Sequence, residues 1–443
     1  MASHSKAGAA LDALRADLTG DVFAPGDPGY DEARAFFDAR ADRRPAVIAR
    51  CAHEADVVRA VRFARDLDLH IAVRGGGHGA AGPSPDHGAL VVDLRRMHEV
   101  TVDPAAEAVR VEGGATMGRL DRATRPYGLA TTGCRTSAVG VAGFVLGGGT
   151  GRLDRAFGLA VDGLIGVELV TADAERVHAN PDENPELFWA LHGGGGNFGI
   201  ATALTLELRE LPEFSVALLL YLPEYGREVV RAFREIITGG PDRLGGAVTY
   251  PTAGRPVYGA LLTYAGGAAD LRKLAQPLLA LPHEAEPPGA GALLDVPPGL
   301  RAHWSAECVT GLPDELVDVF CARAEALPVP GGSWHMLFPL GGAVAAGPVQ
   351  YPVPYRDAPW VVHPFARWAD PADDERALAW VRDARAGVRP WSAGAVCLGL
   401  VGDEGPERVG AGLGAGNLLR LEKVKRAYDP DNVFRFNHNI KPV

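Results

Sequence analysis

An α+β chain of two domains is what this sequence predicts, and three observations carry the expectation. At 443 residues the chain is too long for one ordinary hydrophobic core. Up to about residue 208, helix-like and strand-like stretches are punctuated by glycine clusters around residues 74–88, 113–118, 140–151 and 193–199. From about residue 209 the texture changes to strand-like runs with helical stretches between them, the pattern of an antiparallel sheet backed by helices.

The elements follow in order. Residues 54–68 repeat apolar side chains at helical spacing, with Val57, Val61 and Ala64 on one face and Val58 beside them. Residues 70–74 read as a strand running into the first glycine loop, residues 90–94 as another, and residues 109–112 alternate as a half-buried strand does. Thr116 is placed to cap a helix that stops at Tyr127-Gly128. Residues 164–170 and 175–178, joined by Ala172-Asp173-Ala174, read as a hairpin. Asn184-Pro185 starts a helix, the glycines at 193–196 break it, and residues 200–208 alternate as a strand. Beyond them, residues 216–221, 246–250, 257–264, 334–338 and 397–402 read as strands, and residues 224–237, 268–280, 313–326 and 417–428 as helices. The Pro- and Gly-rich stretches 284–299 and 341–354 read as loops.

Composition narrows the function. The formal charge is −11 with no stripe of Lys and Arg, which speaks against nucleic acid as a partner. No run approaches the length of a membrane span, and the first ten residues lack the apolar core of a signal peptide. The five cysteines are scattered, without a CxxC pair, so a reducing cytoplasm is expected and neither a disulfide framework nor a zinc site.

Two glycine-rich stretches carry the chemistry: Arg74-Gly75-Gly76-Gly77-His78-Gly79 and Gly133-Cys134-Arg135-Thr136-Ser137-Ala138-Val139-Gly140-Val141. Each sets one nucleophilic side chain in a backbone that a large planar ligand can approach closely, with N–H groups available to phosphate and carbonyl oxygens. A histidine and a cysteine in two such loops point to one cofactor held by two covalent bonds. Two other motifs fail on inspection. His192-Gly193-Gly194-Gly195-Gly196 imitates the oxyanion loop of lipases, but the chain has no Gly-x-Ser-x-Gly elbow. Gly147-Gly148-Gly149-Thr150-Gly151 lacks the spacing of a dinucleotide fingerprint.

These motifs resemble those of the berberine bridge enzyme-like FAD-linked oxidases, in the superfamily of vanillyl-alcohol oxidase and p-cresol methylhydroxylase (PCMH). The likeness is strong over residues 45–208 and 417–440, including the block from Pro185 to Gly199 and the closing Tyr428-Asp429-Pro430-Asp431-Asn432 and Asn437-His438-Asn439-Ile440. It implies a PCMH-type FAD-binding fold, with residues 1–208 and 405–443 forming the FAD domain and 209–404 an antiparallel substrate domain. It implies FAD bonded through His78 to the 8α-methyl carbon and through Cys134 to C6 of the ring. The same resemblance implies that Arg74, Gly75, Gly76, Gly77 and Gly79, then Thr132, Gly133, Thr136, Val139, Gly140 and Gly143, cradle the cofactor. So do Gly147, Gly148, Gly149 and Gly151, then Asn197, Gly199, Ile200, Asn437 and Asn439. Trp334 and Arg356 fall where the family's substrate sheet runs. Arg152 either meets substrate or pairs with Asp154 at the surface. The implied reaction is oxidation of a small molecule, a bulky natural product by analogy, by hydride transfer to flavin N5 with dioxygen reduced to hydrogen peroxide. The enzyme is expected as a monomer or homodimer.

The chain departs from the family at the proton acceptor. Many members carry Tyr-x-Asn-Tyr before the closing helix, and the matching stretch is read here as Leu413-Gly414-Ala415-Gly416-Asn417-Leu418, with leucine at both tyrosine positions. Leucine accepts no proton. Either the base comes from elsewhere, with Tyr355, His335, Tyr264 and His363 as candidates, or the substrate needs no strong base. A third reading makes the flavin a scaffold for a non-redox cyclisation or isomerisation, and a fourth makes the chain a flavin-binding protein without turnover.

Overall fold

The computed structural model describes residues 2–40, 43–79, 88–252, 256–284, 299–329 and 331–443. Strands β1 (Asp21–Phe23), β2 (Val47–Arg50), β3 (Ile71–Arg74) and β4 (Leu90–Asp93) form a sheet of order β1-β2-β4-β3, in which β2 and β3 both run parallel to β4. The crossover between β2 and β3 is the helix Glu54–Asp66, whose Val57, Ala60, Val61 and Ala64 are fully buried, as their spacing requires. Then come β5 (Val100–Asp103), β6 (Ala108–Glu112), β7 (Leu129–Ala130), β8 (Leu164–Val170), β9 (Arg176–Ala179), β10 (Ile200–Glu207) and β11 (Arg209–Glu210). Five of them make an antiparallel sheet, β5-β6-β10-β8-β9, and β7 pairs with β11. The hairpin read at residues 164–178 is β8 and β9.

The second half builds one seven-stranded antiparallel sheet from β12 (Ser215–Tyr221), β13 (Leu244–Pro251), β14 (Tyr258–Tyr264), β15 (Arg301–Trp304), β16 (Glu307–Val309), β17 (Trp334–Pro339) and β18 (Trp360–Trp368). The order is β12-β14-β13-β17-β18-β15, with β16 also on β18. The helices Gly226–Gly239 and Asp314–Glu325 pack Val230, Phe233, Leu316 and Phe320 on one face of this sheet, against Val248, Leu262 and Leu337. The helix Asp374–Val388 covers Ala366 and Trp368. The opposite face is left for the site. An α+β fold of sheets and covering helices is therefore present.

Three differences from the sequence reading have local causes. The helix expected at 268–280 is two, Ala268–Leu274 and Gln276–Leu279, because Pro277 has no N–H to continue the first. Residues 397–402 are no strand. They hold a 3₁₀ turn at Leu398–Leu400, and the Leu398 carbonyl is taken by the His438 ring instead of a neighbouring strand. Strand β18 has no sequence signature because its nine residues are all buried, so no polar alternation marks it. Of the loop expected at 284–299, residues 285–298 lie outside the described residues. Among the described residues, no helix is long and apolar enough to cross a membrane.

Candidate active site

A cavity of about 420 Å³ opens between the glycine loops and the uncovered face of the large sheet. Because strand side chains alternate, Trp334, Met336 and Phe338 of β17 reach it together, as do His363 and Phe365 of β18. Trp304 at the end of β15 joins them. Trp334 stacks on Phe365 at 4.1 Å and 8°, and Trp304 lies 5.4 Å from Phe365. Phe37 meets Trp304 edge-on at 6.0 Å. The result is a continuous aromatic wall.

Opposite the wall, β3 delivers the first glycine loop, and His78 lines the cavity with its ring stacked on Phe37 at 4.6 Å. Burial, and then the Arg74 guanidinium, hold His78 down at about 4, so its imidazole is neutral at physiological pH. Cys134 lines the same cavity from the loop after β7. Burial raises its thiol pKa, against the pull of Arg135 and Arg152. The two side chains that the motifs single out thus face one space.

The glycines divide by what a side chain would meet. At Gly76 and Gly140 a Cβ would overlap the other loop's backbone, so these two glycines let the histidine and cysteine loops touch. At Gly143, Gly195 and Gly196, all on the cavity, a Cβ would meet nothing within 4 Å. Two lining residues carry unpartnered polar atoms, the Thr150 hydroxyl and the Asn437 side-chain oxygen, both buried with no hydrogen bond; the Asn439 side-chain oxygen is likewise unpartnered but lies outside the lining. Open room above glycines, orphaned polar atoms and a flat aromatic wall fit a large planar cofactor with a polar tail. Among the described residues, no cluster of His, Cys, Asp and Glu could hold a metal ion.

The remaining residues predicted from sequence fall into two groups. Gly75, Gly77, Gly79, Thr136, Val139, Gly147, Gly149, Asn197 and Gly199 line the cavity, as does Trp334. Others stand behind it and hold its loops. Arg74 donates to the Ala33 carbonyl at 2.8 Å and lies over Phe36. Thr132 donates to the Gly158 carbonyl at 2.7 Å. Gly133 and Gly151 pack backbone against backbone, Gly148 (φ +102°) faces the Tyr355 hydroxyl, and Ile200 is core in β10. Asn197 also has a structural duty: it donates to Gly194 at 2.7 Å and His438 at 3.1 Å and accepts from Ile440 at 2.9 Å, tying the glycine run to the closing segment.

The substrate and base candidates need correction. His335 points away from the cavity, since it alternates with Trp334 and Met336, and it stacks on Phe320 at 4.5 Å beneath the helices. Arg356 is buried in an ion pair with Asp162 and does not line the cavity. Arg152 fits neither of its readings: it donates to the Arg135 carbonyl at 2.9 Å, and it is Arg135 that faces Asp154, at 3.7 Å. The Tyr355 hydroxyl is buried among Gly148, Cys397 and Cys308, outside the lining, and Tyr264 belongs to the helix-covered side. Of the four base candidates only His363 reaches the cavity. Phe37, Trp304, Phe365 and Cys397 also line it, and sequence reading singled out none of them as site residues. A run of aromatics on unread strands looks like ordinary core until the sheet is known to have one bare face.

Comparison with known proteins agrees with this geometry. Residues 45–180 match the model of the FAD binding domain, and residues 413–441 match the model described as berberine and berberine like. The (R)-6-hydroxynicotine oxidase of Paenarthrobacter nicotinovorans is 31% identical, over 96% of this chain and 97% of its own length. A FAD-linked oxidoreductase of Bacillus subtilis is 29% identical over 96% of this chain and 98% of its own. The crystal structure of 6-hydroxy-D-nicotine oxidase from Arthrobacter nicotinovorans superposes with a TM-score of 0.87, 28% identity, and coverage of 96% and 99%. A Physcomitrella patens berberine bridge enzyme-like protein shares the fold, with a TM-score of 0.85 at 23% identity over 98% of this chain and 99% of its own. With the FAD binding and berberine-like models both matched and a relative 31% identical over 96% of this chain, the chain belongs to the FAD-linked oxidoreductases of the berberine bridge enzyme-like family.

Proposed function

We propose that this oxidoreductase is an oxidase that carries its FAD on two covalent bonds, from His78 and from Cys134, and acts on a small aromatic natural product. The observation that carries the reading is the convergence of His78 and Cys134 on one cavity, each from its own glycine loop. The oxidase names of the relatives in nicotine and oligosaccharide chemistry support the reaction class.

When bound, FAD supplies the two-electron acceptor, taking hydride from substrate at N5 and passing the electrons to dioxygen, which leaves as hydrogen peroxide. The chain does the rest. Its glycine loops would hold the pyrophosphate through backbone N–H groups, with Asn437 and Thr150 as polar partners in the cavity lining. The aromatic wall binds a planar substrate and keeps water out. In this reading residues 1–208 and 405–443 hold the cofactor and residues 209–404 present the substrate.

The test is acid precipitation of the purified protein. A yellow pellet is expected from wild type and from His78→Ala or Cys134→Ala alone, and a colourless pellet from the double variant. A colourless wild-type pellet would overturn the covalent assignment. Peroxide released under air, while aromatic alcohols bleach the flavin, is the expected sign of oxidase chemistry; bleaching that only an added quinone reverses would make the enzyme a dehydrogenase instead.

A further inference from the structure

The oxidase reading needs a group to take the proton that a hydroxyl or amine loses as hydride departs, and this inference rests on that reading. Among the described residues lining the cavity there is no Asp, Glu, Lys or Tyr. Three histidines remain. His78 is the proposed tether, and His438 is turned onto the backbone of Leu398, at 2.9 Å, and of Val401. The third is His363.

An irregularity in β18 fixes its chemistry. β15 and β16 both pair with β18, and their common register sets Ser305 opposite Pro364 at the junction. The Ser305 N–H donates to the Pro364 carbonyl at 3.2 Å. Proline has no N–H to return. The Ser305 carbonyl left over is filled by the His363 ring, whose Nδ1 lies 2.8 Å away. A carbonyl only accepts, so the proton sits on Nδ1 and the lone pair on Nε2. Among the described residues no donor meets Nε2.

We propose that Nε2 of His363 accepts the O–H or N–H proton of an aromatic substrate lying on the wall of Trp304, Phe365 and Trp334. In the reaction the substrate C–H bond gives up hydride to FAD. The O–H or N–H electron pair becomes the new C=O or C=N π bond, and the proton passes to Nε2 and then to water. Burial and the Arg135 guanidinium hold the imidazole at about 4, and His335, on the other face of the sheet, is held neutral at about 3. The ring is therefore free to accept throughout the neutral range. Its weak basicity suffices, because the leaving proton turns strongly acidic as hydride departs.

The test separates proton acceptance from turnover. Phenol and anisole differ by one O–H donor, and both are neutral at pH 7. Calorimetry on the FAD-loaded protein should show phenol binding about tenfold tighter than anisole. His363→Asn keeps a donor near Ser305 but has no Nε2, and His363→Phe keeps the aromatic volume; both should bind the two probes equally. Equal binding by wild type, or a phenol preference that survives in both variants, would overturn the assignment. For any alcohol that bleaches the wild-type flavin, His363→Asn should slow anaerobic bleaching by roughly 10²- to 10⁴-fold. A phenol preference in a protein that no alcohol bleaches and that releases no peroxide would sustain His363 as an acceptor and defeat the oxidase reading.

Discussion

Lys425 and Asp429 are both fully buried, one turn apart where the helix Ala415–Tyr428 ends. The Lys425 ammonium donates to Asp429 at 2.6 Å, to the Asn197 carbonyl at 2.8 Å and to the Phe434 carbonyl at 2.9 Å. All three of its donors are used. Asp429 accepts in addition from the Val433 and Phe434 N–H groups at 2.7 and 2.9 Å. Lys425→Met strips one buried carboxylate of its counter-charge, which costs about 3–5 kcal/mol, and leaves the Asn197 carbonyl without a donor at roughly 1 kcal/mol, while the Phe434 carbonyl keeps the Asn437 amide at 3.4 Å. The expected loss is thus about 4–6 kcal/mol. Asp429→Asn alone, which strands the ammonium, should cost about 3–5 kcal/mol. The double variant should cost at least about 2 kcal/mol less than the two losses together, because the second change removes the charge that the first left unpaired. Urea unfolding followed by tryptophan fluorescence, run as a double-mutant cycle, measures the coupling. Additive losses, within about 0.5 kcal/mol, would refute the argument that this pair clamps the glycine run to the closing segment.

Two further outcomes are expected. His192, His335 and His363 are buried and held neutral at about 4, about 3 and about 4. Each folded-state pKa lies below its unfolded value, so stability is full above pH 6.5 and falls as pH drops toward 4, by up to about 1.4 kcal/mol per histidine per pH unit; urea midpoints that stay flat between pH 6.5 and 5 would contradict this. Gly143 lies in the helix Val141–Leu146 with open space beside it. Gly143→Ala should keep the fold, stabilise cofactor-free protein by up to about 1 kcal/mol, and lower the flavin-to-protein absorbance ratio; full flavin loading would show that the space is not the cofactor's.

Much of the first half could be read in the sequence because its signals are local. Val57, Val61 and Ala64 mark a helix by spacing alone, and the glycines around His78 and Cys134 mark loops by composition alone. The far wall is different in kind. Phe37, Trp304, His363 and Phe365 come from distant parts of the chain, and β18, which carries two of them, is buried without alternation. Nothing within a window of ten residues tells which face of β18 is bare. Sequence reading offers His335 and His363 alike as candidates: each lies on a central strand, and only the pleat decides which one points at the cavity. Arg356 and Arg152 misled for another reason. A charge in a site region suggests a ligand until a buried partner, such as Asp162, is seen to claim it.

The cavity draws its surface from residues as far apart as Phe37 and His438. Such a chamber has no partial form. A polypeptide emerging from the ribosome acquires the glycine loops early, yet lacks the roof and the closing latch until its last residues arrive. On the proposed reading, attachment of the flavin at such a place would be a record of completed maturation, and chains cut short before His438 should stay colourless even where His78 and Cys134 are both present.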